Sequence, residues 1–337
     1  MPTLWITSRD TEAKLQGERI IITPISQGSD LDGKRDLPLI DIDLVVLNHR
    51  ARISTPLLHS LLDRKTPIFL LDSIGRTRGQ FLPAIPAHGK SRLAQYHTSS
   101  SSEKQASIAS AIIAAKIYNQ RRCLQRLAIN RGETQHISGT YRRFASSIAR
   151  LESARLTPDQ ILGVEGAASA DFYSSWAQFL PDDFPFARRS RRPPHNPVNA
   201  CISFTATLIY QEMTAACFAA GLDPALGALH STTNNRWSLA LDLIEPLRPV
   251  IVEALTLDLF SRHILEHSHF EPKNNGIYLN HEGRRKLILQ YEKRLERYFH
   301  SEHTAQRTTL RQVLRNLPLQ YKKHITDNTP LIPFRMN

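Results

Sequence analysis

Near residue 86 the texture of the chain changes, and that change limits the folds open to it. Upstream, short runs rich in β-branched and apolar residues are separated by turn residues. Leu4-Trp5-Ile6-Thr7 and Glu18 to Thr23 are strand candidates. Leu39 to Leu47 alternates apolar and acidic residues and then becomes wholly apolar, as a strand does that enters from an exposed edge and finishes buried. Ser54 or Thr55 can cap a short helix with Pro56 in its first turn. Pro67 to Asp72 is a further strand, and Gly75 and Gly79 flank a basic turn containing Arg76 and Arg78. Pro86-Ala87-His88-Gly89 and Ser99-Ser100-Ser101-Ser102 read as connector. Beyond them, Lys104 to Ala128, Asn199 to Ala220, Ser238 to Leu265 and Arg284 to Phe299 read as helical. The expectation is an α+β chain: a small β-rich N-terminal domain over 1–88, a linker over 89–103, and a larger all-α catalytic domain over 104–337.

A chain of 337 residues has ample length to bury a core, and 41% hydrophobic with 22% charged residues is ordinary for a globular protein. No apolar run reaches membrane-spanning length, and the first six residues lack a basic region followed by an apolar signal core. Cys123, Cys201 and Cys217 are too sparse for a disulfide framework or a zinc knuckle. These features lead us to expect reduced, mostly buried thiols in a cytoplasmic protein with no membrane partner. Lysine plus arginine number 43 against 31 acids, a surplus of +12 that attracts polyanions. Nucleic acid is the commonest such partner. An acidic membrane or ribosomal surface has the same sign, and a solubility surplus explains the charge equally well.

The densest chemistry lies between residues 160 and 250. Glu165 stands in an apolar, small-residue segment, Leu162 to Ala168, where a single acid is more often structural than catalytic. Arg188, Arg189, Arg191 and Arg192 precede Pro193, Pro194 and Pro197, which forbid a continuous helix. Forked guanidinium donors on such a loop suit phosphate oxygens, and incidental surface charge is the plainer reading. Gly221 to Leu229 is a helix stop and a turn leading to His230. Asp242 and Glu245 follow at i, i+3, so both carboxylates share one helical face, and Pro246 bends the helix after them. Two acids this close repel unless a cation sits with them. A divalent metal is one solution, and Arg248 or another arginine is the other. Carboxylates with one imidazole suit magnesium or manganese better than structural zinc. Lys116, Asn119, Gln120 and Arg121 read as the polar face of the Lys104 to Ala128 helix. His281-Glu282-Gly283-Arg284, with Tyr291, Tyr298 and Tyr321 downstream, matches the His-x-x-Arg of tyrosine recombinases, a pattern common by chance.

Taken in order, these residues resemble the CRISPR-associated protein 1 family. The resemblance runs through Lys116 to Gln120, Gly163-Val164-Glu165-Gly166 with Tyr173, Arg191 to Pro194, Pro197 to Ala200, Gly227 to His230, Ser238 to Glu245, and Arg248-Pro249. It implies an N-terminal β domain that mediates a homodimer, followed by a helical catalytic domain. It also implies that Glu165, His230 and Glu245 bind Mg2+ or Mn2+, with Asp242 as an adjacent assisting acid and no other cofactor. The implied activity is that of a metal-dependent DNA endonuclease and integrase: the 3′-hydroxyl of a captured double-stranded DNA fragment attacks a phosphodiester of a CRISPR array. Two dimers would be bridged by CRISPR-associated protein 2. The sequence departs from the family at Asn196, often Asp, and at Ala228, where a bulkier residue often stands. Two other functions use the same residues: a metal-dependent nuclease of branched DNA outside CRISPR adaptation, and a non-catalytic basic DNA-binding scaffold with structural acids.

Overall fold

The structure, a computed structural model, describes residues 3–8, 10–26, 33–72, 77–84, 88–131, 138–230, 236–301 and 305–337. Met1, Pro2, Gly75, Arg76, Pro86 and Ala87 lie outside the described residues. The chain divides into two compact units, Met1–Ala87 and His88–Asn337. A strand-rich region thus precedes a helical one.

In the first unit, β1 (Thr3–Ile6), β2 (Thr11–Gln16), β3 (Arg19–Pro24), β4 (Arg35–Pro38), β5 (Leu44–Asn48), β6 (Arg52–Ile53), β7 (Ile68–Leu71) and β8 (Thr77–Phe81) form two four-stranded sheets. One has the order β1-β5-β7-β8, parallel except for β8, and the other the order β4-β3-β2-β6. Strand β5 is buried from Leu44 to Leu47, the signature of a strand covered on both faces, whereas β3 alternates with Ile20 and Ile22 inward. Helix α1 (Thr55–Asp63) is capped as expected, with Ser54 Oγ accepting from the Leu57 N–H and Pro56 in the first turn.

The segment Leu39 to Leu47 is not one strand. Leu39–Asp41 forms a 3-10 turn, and Leu39 and Ile42, three residues apart, are the buried pair, leaving Ile40 64% exposed. The Leu39 N–H donates to Glu18 O at 2.9 Å, which pins the turn and ends the alternation.

The second unit comprises α2 (Gly89–Ser99), α3 (Ser102–Arg131), α4 (Ser138–Ser153), α5 (Pro158–Ala177), α6 (Pro197–Ala219), α7 (Ser238–Ile244), α8 (Ala254–Ser261), α9 (His281–Glu296) and α10 (Leu310–Asp327). Of the expected linker over 89–103, residues 89–99 form helix α2 and residues 102–103 begin α3, which leaves Ser100 and Ser101 as the connection. Gln95 is fully buried; its amide donates to the carbonyls of Asp223 and Leu226 and accepts from the Asp223 N–H, so tertiary hydrogen bonds override the serine-rich composition. The helical region also carries two hairpins that the sequence reading placed in helix or overlooked. These are β9 (Phe270–Lys273) with β10 (Gly276–Leu279), and β11 (Tyr298–Ser301) with β12 (Gln306–Thr309). Asn274 and Asn275 both take left-handed backbone, φ 49° and 58°, which makes the tight turn of the first hairpin.

Helix α6 starts on Asn196, whose side-chain oxygen accepts the Asn199 N–H at 2.8 Å. Aspartate would cap in the same way, so the departure at this position keeps the function of the cap. Helix α3 packs against α4, α5 and the turn that follows α7. Its residues Ile108, Ile112, Ile113, Ile117, Cys123 and Leu124 are buried, and so are Lys116, Asn119 and Gln120. Of the polar face expected there, Arg121 alone keeps partial exposure. No helix among the described residues is long and apolar enough to cross a membrane.

Candidate active site

Glu165 on α5 and Glu245, first residue of a 3-10 turn at Glu245–Leu247, close on one cation, the ammonium of Lys116 from α3. Lys116 Nζ donates to Glu165 and lies 2.6 Å from Glu245 Oε2. Ser169, one turn after Glu165 on α5, donates to the same Glu165 oxygen at 2.8 Å. Arg248 approaches Glu245 from the other side at 3.7 Å and also faces Glu253 at 3.7 Å. Tyr173 completes the series by donating to Glu253 at 2.7 Å. Pro246 and Pro249 shape this segment: each lacks an N–H, and the chain passes from the 3-10 turn into a π-turn at Pro249–Glu253 before α8. That shift brings Glu245 and Glu253 to the same arginine.

Burial alone would push Glu245 toward its neutral form. Lys116 and Arg248 outweigh it and hold the carboxyl down at about 2. Glu165 is also lowered: burial opposes ionisation, and Lys116 overcomes it. Burial tends to neutralise Lys116, but Glu245 and Glu165 raise its pKa above the ordinary value. Burial and the neighbouring Glu253 raise Tyr173.

His230 and Asp242 form the second part of the site. Asp242 is 0% exposed. Its Oδ2 accepts from the N–H groups of Ala228 (2.6 Å) and Leu229 (2.9 Å), and its Oδ1 accepts from the His230 N–H (3.1 Å) and lies 2.6 Å from His230 Nδ1. Gly227 makes this cradle possible, since a Cβ there would stand 2.6 Å from Asp242 Oδ2. Both carboxylate oxygens already accept, so Nδ1 is the donor, which in the neutral ring leaves the lone pair on Nε2. His230 is close enough to lower the Glu245 carboxyl electrostatically.

The structure therefore brings Glu165 and Glu245 to one lysine, places His230 within electrostatic reach of Glu245, and sets Asp242 behind the histidine. Among the described residues no three His, Cys, Asp or Glu side chains already stand around a common point as a ready metal cage. The donor chemistry nevertheless fits a hard divalent cation. Two glutamates already share a positive charge, an imidazole offers Nε2, and Glu245 Oε2 is buried without a hydrogen bond, its lysine contact being an off-axis ion pair. The ammonium of Lys116 stands between Glu165 and Glu245.

The arginine loop divides. Arg188, Arg191 and Arg192 are exposed. Arg189 is turned inward and donates to Asn199 Oδ1 (2.7 Å), Ser190 O (2.6 Å) and Ser203 Oγ (3.1 Å), so it holds the loop rather than presenting charge. Two of the three tyrosines downstream of the His-x-x-Arg match are turned into the core. Tyr291 and Tyr321 are buried, Tyr291 donating to Glu212, and Tyr298 lies exposed on β11. Sequence reading missed Lys116, Ser169 and Glu253 as parts of the site. The signal for Lys116 was available: apolar residues ring α3 on every side between Ile108 and Leu124, which leaves no face for a solvated lysine.

Residues 4–293 match the family model described as CRISPR associated protein Cas1. Among curated proteins, a CRISPR-associated endonuclease Cas1 from Rhodospirillum rubrum is 33% identical over 309 residues, covering 88% of this chain and 87% of that protein. Among solved structures, a CAS1 protein from Thermotoga maritima superposes with a TM-score of 0.79 at 24% identity, over 96% of this chain and 97% of that one. A casposase bound to integration product superposes with a TM-score of 0.85 at 20% identity, over 100% and 95%. These two likenesses bear on the fold. The match of the family model over most of the chain, with a relative a third identical along nearly its full length, makes this protein a member of the CRISPR associated protein Cas1 family.

Proposed function

We propose that this chain is a metal-dependent DNA integrase and endonuclease that inserts captured double-stranded fragments into a CRISPR array. The observation that carries the reading is the convergence of Glu165 and Glu245 on one cation, beside a histidine whose Nε2 is kept available by Asp242. Glu165, Glu245 and His230 Nε2 would hold Mg2+ or Mn2+, with Asp242 orienting the ring and not itself a ligand. When bound, that ion supplies charge neutralisation at the phosphate and eases loss of the hydroxyl proton.

The chemistry is an exchange of phosphodiesters. The 3′-oxygen of the incoming fragment bonds to a phosphorus of the array, and the bond from that phosphorus to the outgoing 3′-oxygen breaks. The attacking hydroxyl loses a proton and the departing oxygen gains one, so bond number and charge balance without an outside energy source. Hydrolysis is the same step with water as the nucleophile. The residues of this chain supply position and field: Asp242 fixes the imidazole, Arg248 and Lys116 keep Glu245 ionised, and Ser169 orients Glu165. Arg188, Arg191 and Arg192 offer exposed cations to the DNA backbone. CRISPR-associated protein 2 is the proposed protein partner and a homodimer the proposed state.

The test is strand transfer of a duplex fragment into a supercoiled plasmid bearing a CRISPR array. Glu165→Ala, His230→Ala and Glu245→Ala each abolish transfer while circular dichroism stays that of the native protein. Near-normal transfer by two of the three removes the assignment.

A further inference from the structure

Asn119 lies on α3 one turn beyond Lys116 and is 0% exposed. Every hydrogen-bonding group of its amide is used. One N–H donates to Pro246 O at 2.7 Å and the other to Phe334 O at 2.9 Å, while Oδ1 accepts from the Met336 N–H at 2.7 Å. A single side chain thus joins the residue next to Glu245 to the extended segment after α10. Pro246 and Pro249 remove two backbone donors from this stretch, so the turn carrying Glu245 depends on hydrogen bonds from elsewhere.

The segment 329–337 lies at the surface of the helical unit. None of its residues is buried, although its partner Asn119 is. It is tied to α3, α4, α10 and β11 by surface contacts: Arg335 pairs with Glu152 at 2.7 Å and lies over the Tyr118 ring at 5.3 Å, Phe334 meets Phe299 edge-on at 6.1 Å, Arg126 donates to Asn337 O at 2.8 Å, the Asn337 amide donates to His300 O, and His324 Nδ1 lies 2.7 Å from Thr329 O. Open clefts of about 650 and 770 Å³ flank it, both lined in part by Ile332 and Arg335. If it leaves, Asn119 loses two of three partners, and its amide, no longer fixed in rotation, holds Pro246 O by one bond alone.

We propose that residues 329–337 form a strap which, through Asn119, holds Glu245 in register with Lys116 and Glu165, making Asn119 a positioning residue of the site. The inference rests on Glu165, His230 and Glu245 being the active centre. It gives the strap a function, since anything that lifts it slackens the catalytic turn without touching DNA or the proposed ligands.

The sharpest test removes one backbone hydrogen-bond donor. Met336→Pro in the intact chain deletes the N–H that Asn119 accepts, in a segment with no buried residue, and Met336→Ala keeps it. Mn2+ affinity is read by electron paramagnetic resonance, exchange of backbone amides over 244–253 by mass spectrometry, and strand transfer as kcat and KM for DNA. The expected result for Met336→Pro is about tenfold weaker Mn2+ binding, the scale seen when the groups supporting metal ligands are disturbed. Exchange over 244–253 should rise, kcat should fall, and KM, the melting temperature and exchange elsewhere should stay put. Met336→Ala should match the wild type, and Phe334→Ala/Arg335→Ala should follow Met336→Pro. Mn2+ affinity within twofold of wild type together with unchanged exchange over 244–253 in Met336→Pro overturns the strap. Wild-type protein that binds no Mn2+, or binds it undiminished after Glu245→Gln, overturns the active-centre reading itself and the strap with it.

Discussion

The Nδ1 atom of His230 lies 2.6 Å from Oδ1 of Asp242, a carboxylate that no solvent reaches and that three successive backbone N–H groups also hold. An aspartate so occupied has little left for a metal. Its work is to fix the tautomer and the plane of the ring. Asp242→Asn replaces one acceptor oxygen by a donor facing N–H groups. Metal affinity should drop by about 10- to 100-fold, and the protein should lose roughly 1–3 kcal/mol for each buried donor left unpaired. Titration with Mn2+ and urea unfolding measure the two effects. An unchanged metal affinity would mean that His230 needs no orienting partner.

The Lys116–Glu245 pair gives the metal-free protein a characteristic pH response. Glu245 titrates at about 2, below its ordinary 4.5, so its contribution to stability is complete above the ordinary value and drains as pH falls through the lower one. Lys116 is raised above its ordinary 10.5, so its contribution is complete below that value and drains only on further alkalinisation. The stability gap between wild type and Glu245→Gln should be widest near neutrality, narrow below the ordinary value of 4.5 and close only as pH falls to about 2. Urea unfolding in EDTA across that range checks it. A gap that stays constant with pH would show that Glu245 is not held ionised by these cations.

The arginine loop separates into two behaviours. Replacing Arg188, Arg191 and Arg192 by alanine should flatten the slope of log affinity against log salt for duplex DNA by about 0.9 per lost phosphate contact. Arg189→Ala should leave that slope alone and lower the melting temperature, because its guanidinium holds Asn199, Ser190 and Ser203. Salt titrations of both variants discriminate. The reverse pattern would place the DNA path elsewhere.

A homodimer formed by the strand-rich unit should depend on Ile40, which the 3-10 turn at Leu39–Asp41 leaves 64% exposed. Sedimentation equilibrium at micromolar concentration should find a dimer for wild type and a monomer for Ile40→Asp, with equal melting temperatures. A dimer in both would move the interface away from this turn.

Much of the fold was legible because local signals agreed with tertiary ones. Ser54 and Pro56 announce α1, Gly221 ends the run of helix that Asn196 begins, and the continuous apolar run Leu44 to Leu47 is a strand buried on both faces. The misreadings arose where distant contacts decide. Residues 89–99 are helical because Gln95 reaches Asp223 and Leu226, more than a hundred positions away in the chain. The β9–β10 hairpin hides in a polar stretch whose one clear mark is Asn274-Asn275. At the site, Glu165, His230, Asp242 and Glu245 were readable as residue types in a family order. Their distinct roles were not, because i, i+3 spacing places Asp242 and Glu245 on one face, whereas Pro246 and the turn it starts send them to different partners.

The most direct measurement is a crystal structure of the full-length protein grown with Mn2+ and read by anomalous scattering. One anomalous peak should lie among Glu165 Oε1, Glu245 Oε2 and His230 Nε2, with Lys116 Nζ displaced from between the glutamates and Asp242 still bound to Nδ1. A peak ligated by Asp242, or a Lys116 ammonium still bridging Glu165 and Glu245 with no ion at His230, would contradict the assignment of the active centre.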